Sequence, residues 1–234
     1  MTRIVAIHQP NYLPYLGFFH KMFLSDVFVL YDIAKYSKND FHNRNRIKTP
    51  AGPRWLTVPV RRTSVDRICD VEIRQAEPWS KRHVATLKAN YARVPYFLSY
   101  FERFESIYQK EWNCLAALNE AFIDLLASSF GIRRTLVRSS EIDVPGELSP
   151  SERLAWMVRK LGGDTYLSGP AGPNYLDSAA FSELTVLIQD FRHPKYAQPW
   201  GPFTSHLSAV DALFNLGKDA EALVRSSGQA IRWR

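Results

Sequence analysis

The chain has 234 residues, of which 46% are apolar and 23% charged, the proportions of a globular protein able to bury a full core. No apolar run approaches the roughly 20 residues of a bilayer-spanning helix, and the first residues enter a strand pattern with no leader-like stretch, so a cytoplasmic location is expected. Basic residues exceed acidic ones by seven (30 minus 23), which favours anionic partners such as nucleotides, sugar nucleotides, nucleic acid or lipid headgroups.

In chain order, Ile4-Val5-Ala6-Ile7 is short, β-branched and stopped by Gln9-Pro10-Asn11, the pattern of a buried parallel strand. Tyr15 to Leu24 fits one or two helical turns, and Val27 to Asp32 reads as a second strand. Strand, polar loop, helix and strand make a βαβ unit, whose chemistry belongs in the loop after the first strand. That loop holds His8, Gln9, Asn11, Tyr12 and Tyr15, with His20 and Lys21 just inside the helix. A histidine ending a strand is as often a satisfied structural group as a functional one. The density of polar and aromatic groups around it favours function.

Lys35 to Thr49 shows neither helical nor alternating period and is expected as a loop or ragged hairpin. Its Asn43-Arg44-Asn45-Arg46-Ile47-Lys48 run offers forked cations for phosphate and amides for a sugar or polar ring. Trp55 to Val60 and Ile68 to Arg74 read as further strands that continue the sheet, with Pro59 at an edge. Three helices follow at 79–92, 96–110 and 112–130, and the stripe of Tyr96, Phe97, Tyr100, Phe101, Phe104 and Tyr108 is expected in the core. Thr135 to Ser140 returns to strand. A helix capped near Ser149 runs to about Lys160.

The strand near Asp164 to Ser168 empties into Gly169-Pro170-Ala171-Gly172, a turn that can also present backbone N–H groups to an anion. Leu184 to Gln189 reads as the last strand, and Ser208 to Leu216 as an amphipathic helix. The basic tail, 227–234, is expected to be flexible. Cys69 and Cys114 have no metal-ligand spacing and are not expected to pair.

These elements predict an α/β fold: an open, mostly parallel, Rossmann-like sheet in one domain over 1–226, with a helical insertion at about 78–131. The loops after the strand ends offer histidine, lysine, arginine, amides and aromatic faces. They contain no convincing metal cluster and no Ser-His-Asp arrangement. A phosphorylated or nucleotide-bearing small molecule fits them best, and its oligomeric state is not legible.

The chain resembles the WbqC-like family of bacterial proteins encoded among O-antigen and other surface-polysaccharide genes. The likeness is carried by His8 through Lys21, by Asn43 to Lys48 with Trp55 to Val60, by Tyr166-Leu167-Ser168-Gly169 with Asn174-Tyr175-Leu176, and by Leu207 to Asp211. It implies transfer of glycine or a related acyl unit to an amino sugar. A fainter fold-level likeness to nucleotidylyltransferases implies adenylate chemistry, with ATP and magnesium as the cofactors that carboxylate activation would require.

On this reading His8, His20 and Lys21 are the catalytic candidates, holding phosphate or stabilising charge, with one histidine as general base. Arg44, Arg46 and Lys48 clamp phosphate, while Asn11, Asn43 and Asn45 orient the sugar or acyl donor. Gln9, Tyr12, Tyr15, Ser168, Gly169 and Asn174 complete the expected substrate contacts. The rival expectation is a non-catalytic module for nucleotide or nucleic acid, since basic residues interleaved with aromatics also suit single strands. Nucleic acid is the weaker of these partners.

Overall fold

A computed structural model describes residues 2–38, 40–61 and 67–233. Strand β1 (Ile4–His8) lies beside β2 (Val27–Leu30), and both are apolar on each face because helices cover the sheet on both sides. Ala6, Phe28 and Leu30 point into one core, and Val5, Ile7, Val27 and Val29 into the other. With β5 (Thr135–Arg138), β6 (Thr165–Ser168), β7 (Thr185–Phe191) and β8 (Gly228–Arg232), they form a six-stranded sheet of order β5-β2-β1-β6-β7-β8. All neighbours are parallel except β7 and β8. The result is a Rossmann-like open α/β fold.

The first core holds α1 (Leu16–Phe23), α4 (Leu115–Ser129), α6 (Ala209–Leu216) and α7 (Asp219–Arg225) against the sheet. Outside them pack α2 (Trp79–Tyr91) and α3 (Phe97–Tyr108). Most of the aromatic stripe is core: Phe97, Phe101, Phe104 and Tyr108 are buried, the first three around Phe214 at ring distances of 5.1, 6.5 and 5.4 Å, whereas Tyr100 is half-buried and Tyr96, at the helix start, is exposed. The second core is covered by α5 (Pro150–Lys160), which starts on a capping box between Ser149 and Glu152 with proline in its first turn.

Several boundaries differ from the sequence reading. Arg44–Thr49 is a regular strand, β3, paired antiparallel with β4 (Gly52–Thr57) in a hairpin separate from the main sheet. The sheet therefore does not continue through this region. Ile68–Asp70 is a 3-10 turn, and Val60 and Glu72 reach Ile73 and Cys114 only through isolated bridges. Ile68 and Val71, three apart, turn inward together where a strand would send them to opposite faces. The tail is not free: Gly228–Arg232 completes the sheet edge against β7. An edge strand keeps one side in water, so its polar composition disguised it.

Candidate functional site

The chain leaves β1 through α1 towards β2 on one side, whereas β6, on the other side of β1, leads on to β7. Strand order thus reverses between β1 and β6, and their carboxyl ends part to leave a crevice. A cleft of about 420 Å³ occupies that place. Ile7, His8, Gln9 and Lys21 line it from β1 and α1, Gly169, Pro170 and Ala171 from the loop after β6, and Tyr31, Leu154, Tyr166 and Tyr175 close the walls.

The end of β1 and the loop after it are held by their own carbonyls. Lys21 Nζ donates to the carbonyl of Ile7 (2.7 Å), Asn119 Nδ2 to Pro10 (3.0 Å), Asn45 Nδ2 to Leu13 (2.7 Å) and the backbone of Ala209 to Pro14 (2.8 Å). The bond to Leu13 holds a residue at φ +43°, a left-handed conformation that costs a β-carbon-bearing residue about 1–2 kcal/mol. Gln9 is oriented from behind. The Ser37 amide donates to His42 Nδ1 (3.1 Å), so His42 Nε2 carries the hydrogen and donates to Gln9 Oε1 (3.0 Å). Among the described residues the N–H donors of the Gln9 amide have no hydrogen-bond partner, and Gln9 lines the cleft.

His8 and Lys21 are the chemical pair of the cleft. His8 Nδ1 donates to its neighbour's carbonyl, Gln9 O (2.9 Å), which leaves Nε2 as the acceptor. Burial, reinforced by the Lys21 charge, lowers the imidazole from 6.5 to about 3, so it is neutral at ordinary pH. Burial alone brings the Lys21 ammonium from 10.5 to about 7, and the side chain is 3% exposed. Among the described residues no aspartate or glutamate lines the cleft. A positive charge there has no carboxylate counter-ion, so a ligand must bring one or the amine must shed its proton.

The other expected residues are distributed differently. His20, adjacent to Lys21, faces β7 instead: Gln189 Nε2 donates to its Nδ1 (2.9 Å), and its ring packs on Phe191. Burial lowers its pKa too. Tyr12 is fully buried, bonded through its hydroxyl to His83 Nδ1 (2.8 Å) and to the Tyr108 hydroxyl, and it anchors the loop to α2 and α3. Tyr15 stacks on His206 beyond the start of α1, and Asn11 is half-buried away from the cleft lining.

Asn43 and Asn45 are buried and serve the backbone, Asn43 Nδ2 donating to Val58 O (2.8 Å). Arg44 and Arg46 lie on the outer face of the hairpin with Trp55, their guanidinium carbons 4.2 and 5.5 Å from the indole centre. Lys48 is 2% exposed and donates to Gln198 Oε1 (3.0 Å) and Pro202 O (2.5 Å). Arg44, Arg46 and Lys48 are not among the residues lining the cleft. Gly169 lines the cleft, Ser168 is buried behind it, and Asn174 is exposed outside it.

The sequence reading missed Tyr31, Leu154, Tyr166 and Tyr175. Tyr31 directly follows β2, and Tyr175, 60% exposed, follows the Gly-Pro-Ala-Gly turn, so each stands where a strand end or its loop could have signalled it. Tyr175 gives the rim an aromatic face suited to stacking. Among the described residues no three histidine, cysteine, aspartate or glutamate side chains group as a metal site requires. No helix of the described residues is long and apolar enough to cross a membrane.

Sheet order and cleft together define a Rossmann-like α/β protein with its candidate site at the switch point of the strands. The chain belongs to the WbqC-like protein family, whose model matches residues 9–222. It is 34% identical over 229 residues to the uncharacterized protein Rv1507c of Mycobacterium tuberculosis (strain ATCC 25618 / H37Rv), an alignment covering 94% of this chain and 97% of that one. No solved structure matches the chain.

Proposed function

We propose that this chain is a transferase of surface-polysaccharide assembly that passes glycine or a related acyl unit to the amine of an amino sugar, carried as its nucleotide. The observation that supports the reading best is the pairing of a neutral His8 with Lys21 in a cleft without carboxylates, under an aromatic rim. A nucleotide or phosphate supplies the missing negative charge to the protonated form of Lys21, and Tyr175 offers a face to a base or sugar ring.

In this mechanism the sugar amine attacks the acyl carbon, and His8 Nε2 takes the amine proton. The new C–N bond forms as the bond from the acyl carbon to its leaving group breaks, and His8 returns the proton to that group. The Gln9 N–H and Lys21 face the oxyanion that develops. An anion in the cleft raises both pKa values, which makes His8 a stronger base in the complex than in the empty protein. If the acyl donor is a free acid, ATP with magnesium would activate it. With no carboxylate in the cleft lining, the metal would be held by the phosphates.

The test is mass spectrometry of UDP- and dTDP-linked amino sugars incubated with the protein, glycine and Mg-ATP, or with a glycyl thioester. The sugar nucleotide should gain one acyl unit. His8→Ala should lower that rate by about 10²-fold or more while keeping the melting temperature. An unchanged rate would remove His8 from the mechanism.

A second reading, a nucleotide- or nucleic-acid-binding module, draws on Trp55, 40% exposed beside Arg44 and Arg46 on the hairpin face. It requires affinity for a single-stranded oligonucleotide that falls steeply with salt and is weakened by Trp55→Ala.

A further inference from the structure

Lys21 combines features that holding an anion does not need. Lys21 lines the cleft from α1, yet among the described residues its amine donates only to a backbone carbonyl, that of Ile7 at 2.7 Å. The walls are largely apolar or aromatic, built by Leu154, Pro170, Ala171, Tyr166 and Tyr175. The titratable groups lining the cleft with it are His8 from β1 and the phenols of Tyr31, Tyr166 and Tyr175, with His42 and Asp40 acting on His8, and among the described residues no carboxylate lines the space. A lysine that is to remain charged is normally given a carboxylate partner, whereas one kept in an apolar pocket without it is suited to nucleophilic work.

We infer that Lys21 is a nucleophilic amine that captures an aldehyde or ketone ligand in the cleft as an imine. This goes beyond acyl transfer and does not depend on it. The neutral amine, still donating one N–H to Ile7, attacks the carbonyl carbon with its lone pair. A C–N bond forms while the carbonyl π pair moves to oxygen. His8 Nε2 takes the proton from nitrogen and gives it to that oxygen, producing the carbinolamine. Its hydroxyl then leaves as water with a second proton from solvent, so that amine and carbonyl yield protonated imine plus water. The imine draws electrons from the neighbouring carbon, and His8 is the base placed to remove a proton there. Burial brings the amine to about 7, so a large fraction is unprotonated at neutral pH, where an exposed lysine is almost wholly charged.

The experiment treats the full-length protein with glyoxylate, or in a second arm with uncharged dihydroxyacetone, in the presence of cyanoborohydride, followed by peptide mapping. Cyanoborohydride reduces the imine to a stable secondary amine at the residue that formed it. Lys21 should be labelled at least about tenfold faster than exposed lysines such as Lys81, Lys110 and Lys195, and its rate should rise with pH up to about 7 and then level off. Preference for glyoxylate would assign the ligand an anionic end; equal labelling would assign it a neutral one. Labelling of Lys21 no faster than of exposed lysines overturns the inference, as does a preference that survives unfolding in urea. Because mapping is done on the wild type, the result does not depend on whether Lys21→Met folds. Glycine transfer without trapping would leave the acyl-transfer reading standing and remove this one, and trapping without transfer would do the reverse.

Discussion

At the scale of single residues, His8 at the end of β1 and Lys21 in the last turn of α1, not just inside its start, line one cleft, and both were candidates from the first βαβ unit of the sequence. His20 was not separable from them, although it adjoins Lys21. Neighbours on a helix are rotated by about 100°, so one faces the cleft and the other the β7 side. The cost of Lys21 is measurable. Its folded pKa, about 7, lies below the unfolded 10.5, so between those values the unfolded chain binds a proton that the folded chain has released. Stability due to this group therefore rises with pH from about 7 to 10.5, and the desolvation penalty is complete below that window. Lys21→Met should be more stable than the wild type at pH 7 by about 1–3 kcal/mol, and urea midpoints of the two should converge as pH approaches 10. The gain is limited by the hydrogen bond that Ile7 O loses. A difference that does not change with pH would mean that the buried amine keeps an ordinary affinity for its proton.

At the scale of elements, the Asn-Arg repetition of 43–46 is the period of a strand and not of a loop. Asn43 and Asn45 point inward to backbone carbonyls while Arg44 and Arg46 point out over Trp55. The polar content of the inward side concealed the alternation, since asparagine replaces the apolar residues that normally mark it. The tail was misread for a related reason: β8 is made by pairing with β7, not by burial of its own side chains. Its start depends on Gly228, at φ +152°, where an added β-carbon would lie 1.9 Å from Asp190 O. Gly228→Ala should therefore cost about 1–3 kcal/mol in urea unfolding and speed amide exchange in β8 before the rest of the sheet. Unchanged exchange in β8 would show that the strand tolerates the extra carbon.

At the scale of the whole molecule, the alternation of strands and helices was enough to read the open sheet and the place of its crevice. The aromatic walls were not, because Tyr31, Tyr166 and Tyr175 come together only through strand order. The net charge of +7 surrounds a cleft that no acid lines among the described residues. Stopped-flow association of an anionic sugar nucleotide should accordingly slow severalfold between about 0.01 and 0.15 M salt, as the screening length shortens from about 30 to 8 Å. A salt-independent rate would argue against steering by the molecular field. The pins of the loop after β1 have a different consequence. They come from Lys21, Asn45, Asn119 and Ala209, positions spread over most of the sequence. During synthesis Pro14 waits for α6 before it has its partner, so the cleft is among the last features to be completed, and a chain stalled before Ala209 carries its motif without a finished site.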